Sequence, residues 1–173
     1  MALAFSQAAI PPLLAAQGKP QAHRASVKGK IEFRLLVEKT RVKPAEPIFV
    51  KFALKNLGKK PVWVNTRCYL SSPRVPGTER EVTLTVTGPK GTGLPCTYSY
   101  ETGLPKSDDF TRLEPGQEVV SEHQHNLQGY FEFTEKGTYT IVGMYENVFG
   151  PELGLAAFTG PVASQPVSIT LAD

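Results

Sequence analysis

From residue 31 onward, apolar and polar residues alternate with a period of two, the pattern of strands that bury one face and expose the other. Ile31, Phe33, Leu35 and Val37 fall on one face, with Glu32 and Arg34 on the other. After the break at Lys43-Pro44-Ala45-Glu46-Pro47, Ile48, Val50, Phe52 and Leu54 repeat the pattern, with Lys51 and Lys55 outward. Asn56-Leu57-Gly58 turns the chain into the short run Pro61–Asn65. The cleanest alternation follows, Val82, Leu84 and Val86 against Thr83, Thr85 and Thr87, and Gly88-Pro89 ends it. Leu113-Glu114-Pro115-Gly116 reads as a turn with Pro and Gly at its centre, and residues 118–127 then predict a single strand. Residues 135–147 and 165–171 close the pattern, the last with Val167, Ile169 and Leu171 inward.

Residues 88–116 are the least regular, with a further short strand predicted near residues 97–100. Helical periodicity is almost absent. About seven strands separated by turn chemistry predict an all-β fold, an antiparallel β-sandwich over residues 28–173. Residues 1–27 are set apart as an N-terminal arm.

That arm bears on compartment. Ala, Leu, Ile and Phe dominate it, with small residues at Ala15 and Ala16, but a basic start is missing and Pro11-Pro12 interrupts the apolar run. It reads as a partial secretory signal or as an Ala-rich arm with no address. The expectation is a secreted or periplasmic bacterial protein, with a cytoplasmic one as the alternative. In an oxidising compartment Cys68 and Cys96 would form one disulfide; two buried thiols are the other reading.

Charge narrows the partners. The 19 basic and 16 acidic residues leave only +3, and the basic excess lies partly in the arm rather than interleaved with aromatics, so nucleic acid is not expected. No apolar run approaches the ~20 residues of a membrane helix, so no membrane span is expected.

The stretch Gly137-Thr138-Tyr139 leads to a resemblance. In immunoglobulin-like sandwiches a Tyr near the start of the sixth strand bonds backbone at the sheet corner, and a preceding Gly permits the tight entry. With the Leu113–Gln117 turn and residues 127–147 and 158–171, the chain resembles the closing half of bacterial immunoglobulin-like domains of exported proteins. It is more distantly similar to the intracellular proteinase-inhibitor type of sandwich. The resemblance implies structural roles for Gly137 and Tyr139, and no catalytic motif.

Candidate chemistry is sparse. His123 and His125, two apart in a predicted strand, would project from one face and reach one metal, although zinc needs three or four ligands. No Gly-x-Ser-x-Gly elbow is present, and residues 88–93 resemble a phosphate loop only in composition. Ser107-Asp108-Asp109 lacks the spaced oxygen ligands of a calcium loop. Tyr98, Tyr100 and Phe110, with Tyr69 nearby, gather aromatic residues in the irregular middle and are candidate binding-loop residues. The apolar segment 147–161 adds Phe149, Leu153 and Phe158, and either packs back on the sheet or meets a partner. The expectation is a non-enzymatic module without cofactor that binds another protein through its loops. A protease-inhibitor-like sandwich and a metal-binding sandwich are the alternatives.

Overall fold

The computed structural model describes residues 30–70, 81–97 and 103–173, so the N-terminal arm and the candidate residues Tyr98 and Tyr100 lie outside the described residues. The strands are β1 (Ile31–Val37), β2 (Arg41–Val42), β3 (Phe49–Asn56), β4 (Val62–Asn65), β5 (Val82–Thr87), β6 (Gly93–Leu94), β7 (Phe110–Leu113), β8 (Glu118–Val120), β9 (His125–Asn126), β10 (Gly137–Asn147), β11 (Gly160–Ala163) and β12 (Val167–Leu171). The only helical elements among the described residues are single 3₁₀ turns such as Pro151–Leu153, and no helix there is long and apolar enough to cross a membrane.

The fold is all-β. One sheet has the order β1-β3-β8, with β9 also on β3; the second runs β2-β12-β10-β5-β6, with β11 also on β10; β4 and β7 form a separate ribbon. Pairing is antiparallel throughout these ladders except where β2 runs parallel to β12. The sheets meet through the faces that the alternation marks. Phe33, Leu35, Val50, Phe52 and Leu54 of one sheet share a core with Val82, Leu84, Val86, Tyr139, Ile141, Tyr145, Ile169 and Leu171 of the other.

The closest approach of the sheets explains Gly143. A Cβ there would lie 2.7 Å from Leu35 Cδ1 and 2.8 Å from Phe33 Cε1, so β1 packs directly on the backbone of β10. The Pro115-Gly116 turn forms as expected, with Gly116 at φ +80° and Gln117 N donating to Glu114 O at 3.0 Å. Gly88–Thr92 makes the hairpin connection from β5 to β6.

Two expectations change. The single strand predicted over 118–127 is broken into β8 and β9. The Ser121 hydroxyl accepts the Phe52 N–H at 3.1 Å while Ser121 N donates to Phe52 O at 2.7 Å, so a side chain replaces the ladder at that point. The apolar segment after Asn147 contains a 3₁₀ turn and β11 rather than a continuous loop.

Candidate functional site: the open edge of the first strand

His123 and His125 do not share a strand face. Only His125 belongs to β9; His123 lies in the break, exposed, stacked on Tyr69 with ring centroids 5.4 Å apart. His125 is buried, its ring 5.5 Å from Phe52 and its Nδ1 3.3 Å from the Tyr130 hydroxyl. Burial lowers its pKa below the ordinary imidazole value; the nearby Cys68 carbonyl opposes part of this and the charge of His123 adds to it. Among the described residues no three metal-ligating side chains come together.

The loop aromatics are redistributed. Phe110 begins β7 and is buried, and Phe158 is a core residue stacked on Tyr145 at 6.3 Å, so neither serves as an exposed binding residue. Phe149 is half-buried, and of the proposed residues that are described only Leu153 is exposed. The reason is polar stitching. The Asn147 side-chain amide, itself buried, donates to Phe149 O at 2.8 Å and to Phe158 O at 2.6 Å, and Phe158 N donates to Trp63 O at 2.8 Å. Gly150, at φ +120°, lies so close to Ala157 that a Cβ would sit 2.3 Å from the alanine methyl.

No disulfide joins Cys68 to Cys96. Cys68 is buried in the core with its Sγ 4.0 Å from Asn65 O, and burial first, then the Glu81 charge, pushes its thiol up to about 12. It is protonated at neutral pH and is no nucleophile. Glu81 is buried and saturated by donors. It accepts from Arg67 Nε at 2.6 Å and from Tyr69 N at 2.9 Å, while Arg67 stacks its guanidinium over the Tyr69 ring at 5.0 Å. A carboxylate held this way fastens segment 65–70 to β5. Nearby, the Tyr145 hydroxyl donates to Asn65 O and accepts from Asn65 N, both at 3.1 Å.

Tyr139 is tied to the backbone four residues before it. Its hydroxyl donates to Glu135 O at 2.6 Å and accepts from Glu135 N at 3.0 Å. Gly137 sits at φ +133° with Pro89 where a Cβ would go, 2.7 Å from its Cβ.

The surface that sequence reading missed is the outer edge of β1. In an antiparallel pair, hydrogen-bonded and non-hydrogen-bonded residues alternate. Leu57 N donates to Lys30 O at 2.8 Å and Glu38 N to Phe49 O at 3.2 Å, which with the register Ile31↔Asn56 to Val37↔Val50 makes the even-numbered residues the ones bonded to β3. The N–H and C=O groups of Ile31, Phe33, Leu35 and Val37 therefore point away from β3, and no strand among the described residues pairs with them. Other edge strands among the described residues are shorter: two residues in β2, β6 and β9, three in β8, and four in β4, β7 and β11, the last with Pro161 among them. Natural edges are kept short, interrupted or guarded by like charges. At seven residues, β1 is neither short nor interrupted.

Beside this edge runs a groove of about 440 Å³ between β1 and the β11–β12 corner, with Leu57, Val162, Ala163 and Val167 as its apolar wall. Leu57 is 52% exposed. On the outer face Glu32 and Arg34 are each 43% exposed at the side chain and 3.9 Å apart, and Arg34 also pairs with Glu118 of β8 across the sheet.

No protein-family model and no curated protein sequence matches the chain. Among solved structures, a β-glucosidase from Erythrobacter marinus aligns with a TM-score of 0.36 and 12% identity, over 83% of this chain and 16% of that one. The chain thus spans about a sixth of that enzyme's length, and a likeness at this level carries no argument about fold or activity.

Proposed function

We propose that the chain is a non-enzymatic binding module of immunoglobulin-like type that accepts an extended segment of another polypeptide along the edge of β1. The observation that carries this is the row of backbone groups on Ile31, Phe33, Leu35 and Val37 that no described strand pairs, set beside an apolar groove. Strand addition needs both parts: main-chain hydrogen bonds supply affinity, and alternate side chains find pockets. The immunoglobulin-like reading draws support from two features. The first strands divide between the sheets, β1 on β3 and β2 parallel to the final strand β12, and Tyr139 bonds back to Glu135 at the sheet corner.

The non-enzymatic reading draws support from the chemistry of the buried groups. The Cys68 thiol is protonated, the Glu81 carboxylate is occupied by Arg67 and Tyr69, and His125 faces the core. The test is a panel of synthetic peptides of about nine residues, the length that one edge strand can pair. Peptides that alternate apolar and polar residues should bind, and should slow amide exchange at Ile31, Phe33, Leu35 and Val37. The Leu57→Glu variant, which makes the groove wall polar, should bind them more weakly. Binding that leaves those amides unchanged places the surface elsewhere and defeats the reading.

A further inference from the structure

Resting on the reading of β1 as a strand-accepting edge, we infer that the segment it accepts is β1 of a second copy of this chain, in a two-fold antiparallel pair centred on Phe33. The argument is one of register and charge. The groups that face outward belong to odd-numbered residues, so a partner β1 must align odd with odd to form hydrogen bonds. Over a seven-residue strand such alignments are few, and each is two-fold symmetric, since residue i meets residue j wherever j meets i.

Each alignment sets a different pair of outer-face side chains against each other, at the distance where cross-strand charges act. Centring on Arg34 opposes Arg34 to Arg34 at the axis and sets Lys30 against Glu38 at the two ends. Moving the partner one way opposes Glu32 to Glu32 and Lys30 to Arg34; moving it the other way opposes Glu32 to Glu38. Centring on Phe33 instead pairs Ile31 with Leu35 and Phe33 with Phe33 through the backbone. On the outer face it places Glu32 against Arg34 twice, once on each side of the axis. Of these alignments it alone joins opposite charges without also opposing like ones. Glu32 and Arg34 already stand half-exposed and 3.9 Å apart on the same face, so each meets its new partner without leaving the surface.

The edge carries no device against this pairing. Its inward side chains Ile31, Phe33 and Leu35 are apolar and buried, no Pro interrupts it, and its two mid-strand charges are of opposite sign, which favours self-association where a run of lysines would prevent it. The apolar wall of Leu57, Val162 and Val167 beside the edge supplies surface for the second copy to cover.

The experiment uses the full chain and two charge reversals. Sedimentation of the wild type over about a hundredfold range of concentration, two decades of Kd, should show a shift from the 18.9 kDa chain to twice that mass. Glu32→Arg sets Arg against Arg across the axis, and Arg34→Glu sets Glu against Glu, so each variant alone should stay monomeric. Mixed in equal amounts they should form a heterodimer, because every opposed pair is then of opposite sign. Circular dichroism of each variant establishes that it is folded, and the mixture keeps the test decisive even where Arg34→Glu loses its contact with Glu118.

A wild type that is monomeric throughout overturns the inference. If its Ile31, Phe33, Leu35 and Val37 amides exchange slowly at every dilution, a segment of the same chain covers the edge. If they exchange freely and the peptide panel slows them, the strand-accepting reading stands and the partner is another protein. A dimer that forms in both single variants as well as in the wild type overturns the inference too, by placing the contact away from β1.

Discussion

Segment 147–161 is closed by its neighbours where strand β1 is left open. The segment is apolar, rich in glycine and nearly free of charge, and reads as a surface that meets a partner or folds back. It folds back: the buried Asn147 amide, the Trp63 carbonyl and the Gly150–Ala157 contact hold it, and Phe158 fills the core beside Tyr145. Strand β1 reads as an ordinary core strand, and its side chains are core, yet its backbone edge is the longest unpaired run among the described strands. Side-chain polarity and backbone satisfaction are separate quantities. A segment is closed only when both are met.

The comparison breaks most visibly at Phe158. Phe158→Ala should cost about 3–5 kcal/mol in urea unfolding, the range for a buried aromatic, whereas Leu153→Ala in the same segment should change stability by no more than about 0.5 kcal/mol. Equal effects would mean that the segment is not held as described. On the other side of the comparison, Gly143→Ala forces a methyl against Leu35 and Phe33 and should cost about 1–3 kcal/mol by overpacking, measured the same way. A stabilised variant would show that β1 stands off from β10.

The tyrosine hydroxyls come next. Tyr145→Phe and Tyr139→Phe each strand a backbone N–H and C=O, at Asn65 and Glu135, and each should cost about 1–2 kcal/mol. Tyr145 should cost the more, since the Asn65 groups are fully buried.

A pH effect follows from His125. Its folded pKa lies below the unfolded value of 6.5, so as pH falls through 6.5 the unfolded chain takes up a proton that the folded chain refuses. Stability therefore falls over that window and levels off below the folded pKa. His125→Gln should lose less stability than the wild type between about pH 7.5 and pH 5, limits chosen to bracket the ordinary imidazole value. Identical slopes would count against a neutral, buried imidazole. The smallest expected change in stability is at Leu57. Leu57→Ser should leave unfolding within about 0.5 kcal/mol of wild type and yet weaken association at the groove.

What could be read from the sequence follows from what alternation encodes. It marks the buried face of β1, β3, β5, β10 and β12, because each strand has one wet and one dry side. Local turn chemistry was equally legible at Pro115-Gly116 and at Gly137, where a positive φ restricts the residue. The rest depends on neighbours far along the chain. Ser121 breaks a strand only because Phe52 offers its N–H there, and Tyr145 clasps Asn65 across 80 residues. His123 and His125 were placed on one face by a strand that the Ser121 bond interrupts. The open edge has no local signal at all, since an unpaired backbone is a property of what fails to lie beside it.

The break at Ser121 has a consequence for how large an assembly can grow. A sheet with two continuous free margins adds copies without end, and the product is a fibre. Here the far margin of the same sheet is divided into β8 and β9, of three and two residues, with the Ser121 hydroxyl lodged between them. A third chain finds no template on that side. Association through β1 is therefore self-terminating, and the substitution to watch is Ser121→Val, which removes the hydroxyl and invites a continuous strand: the hazard there is not loss of fold but polymerisation.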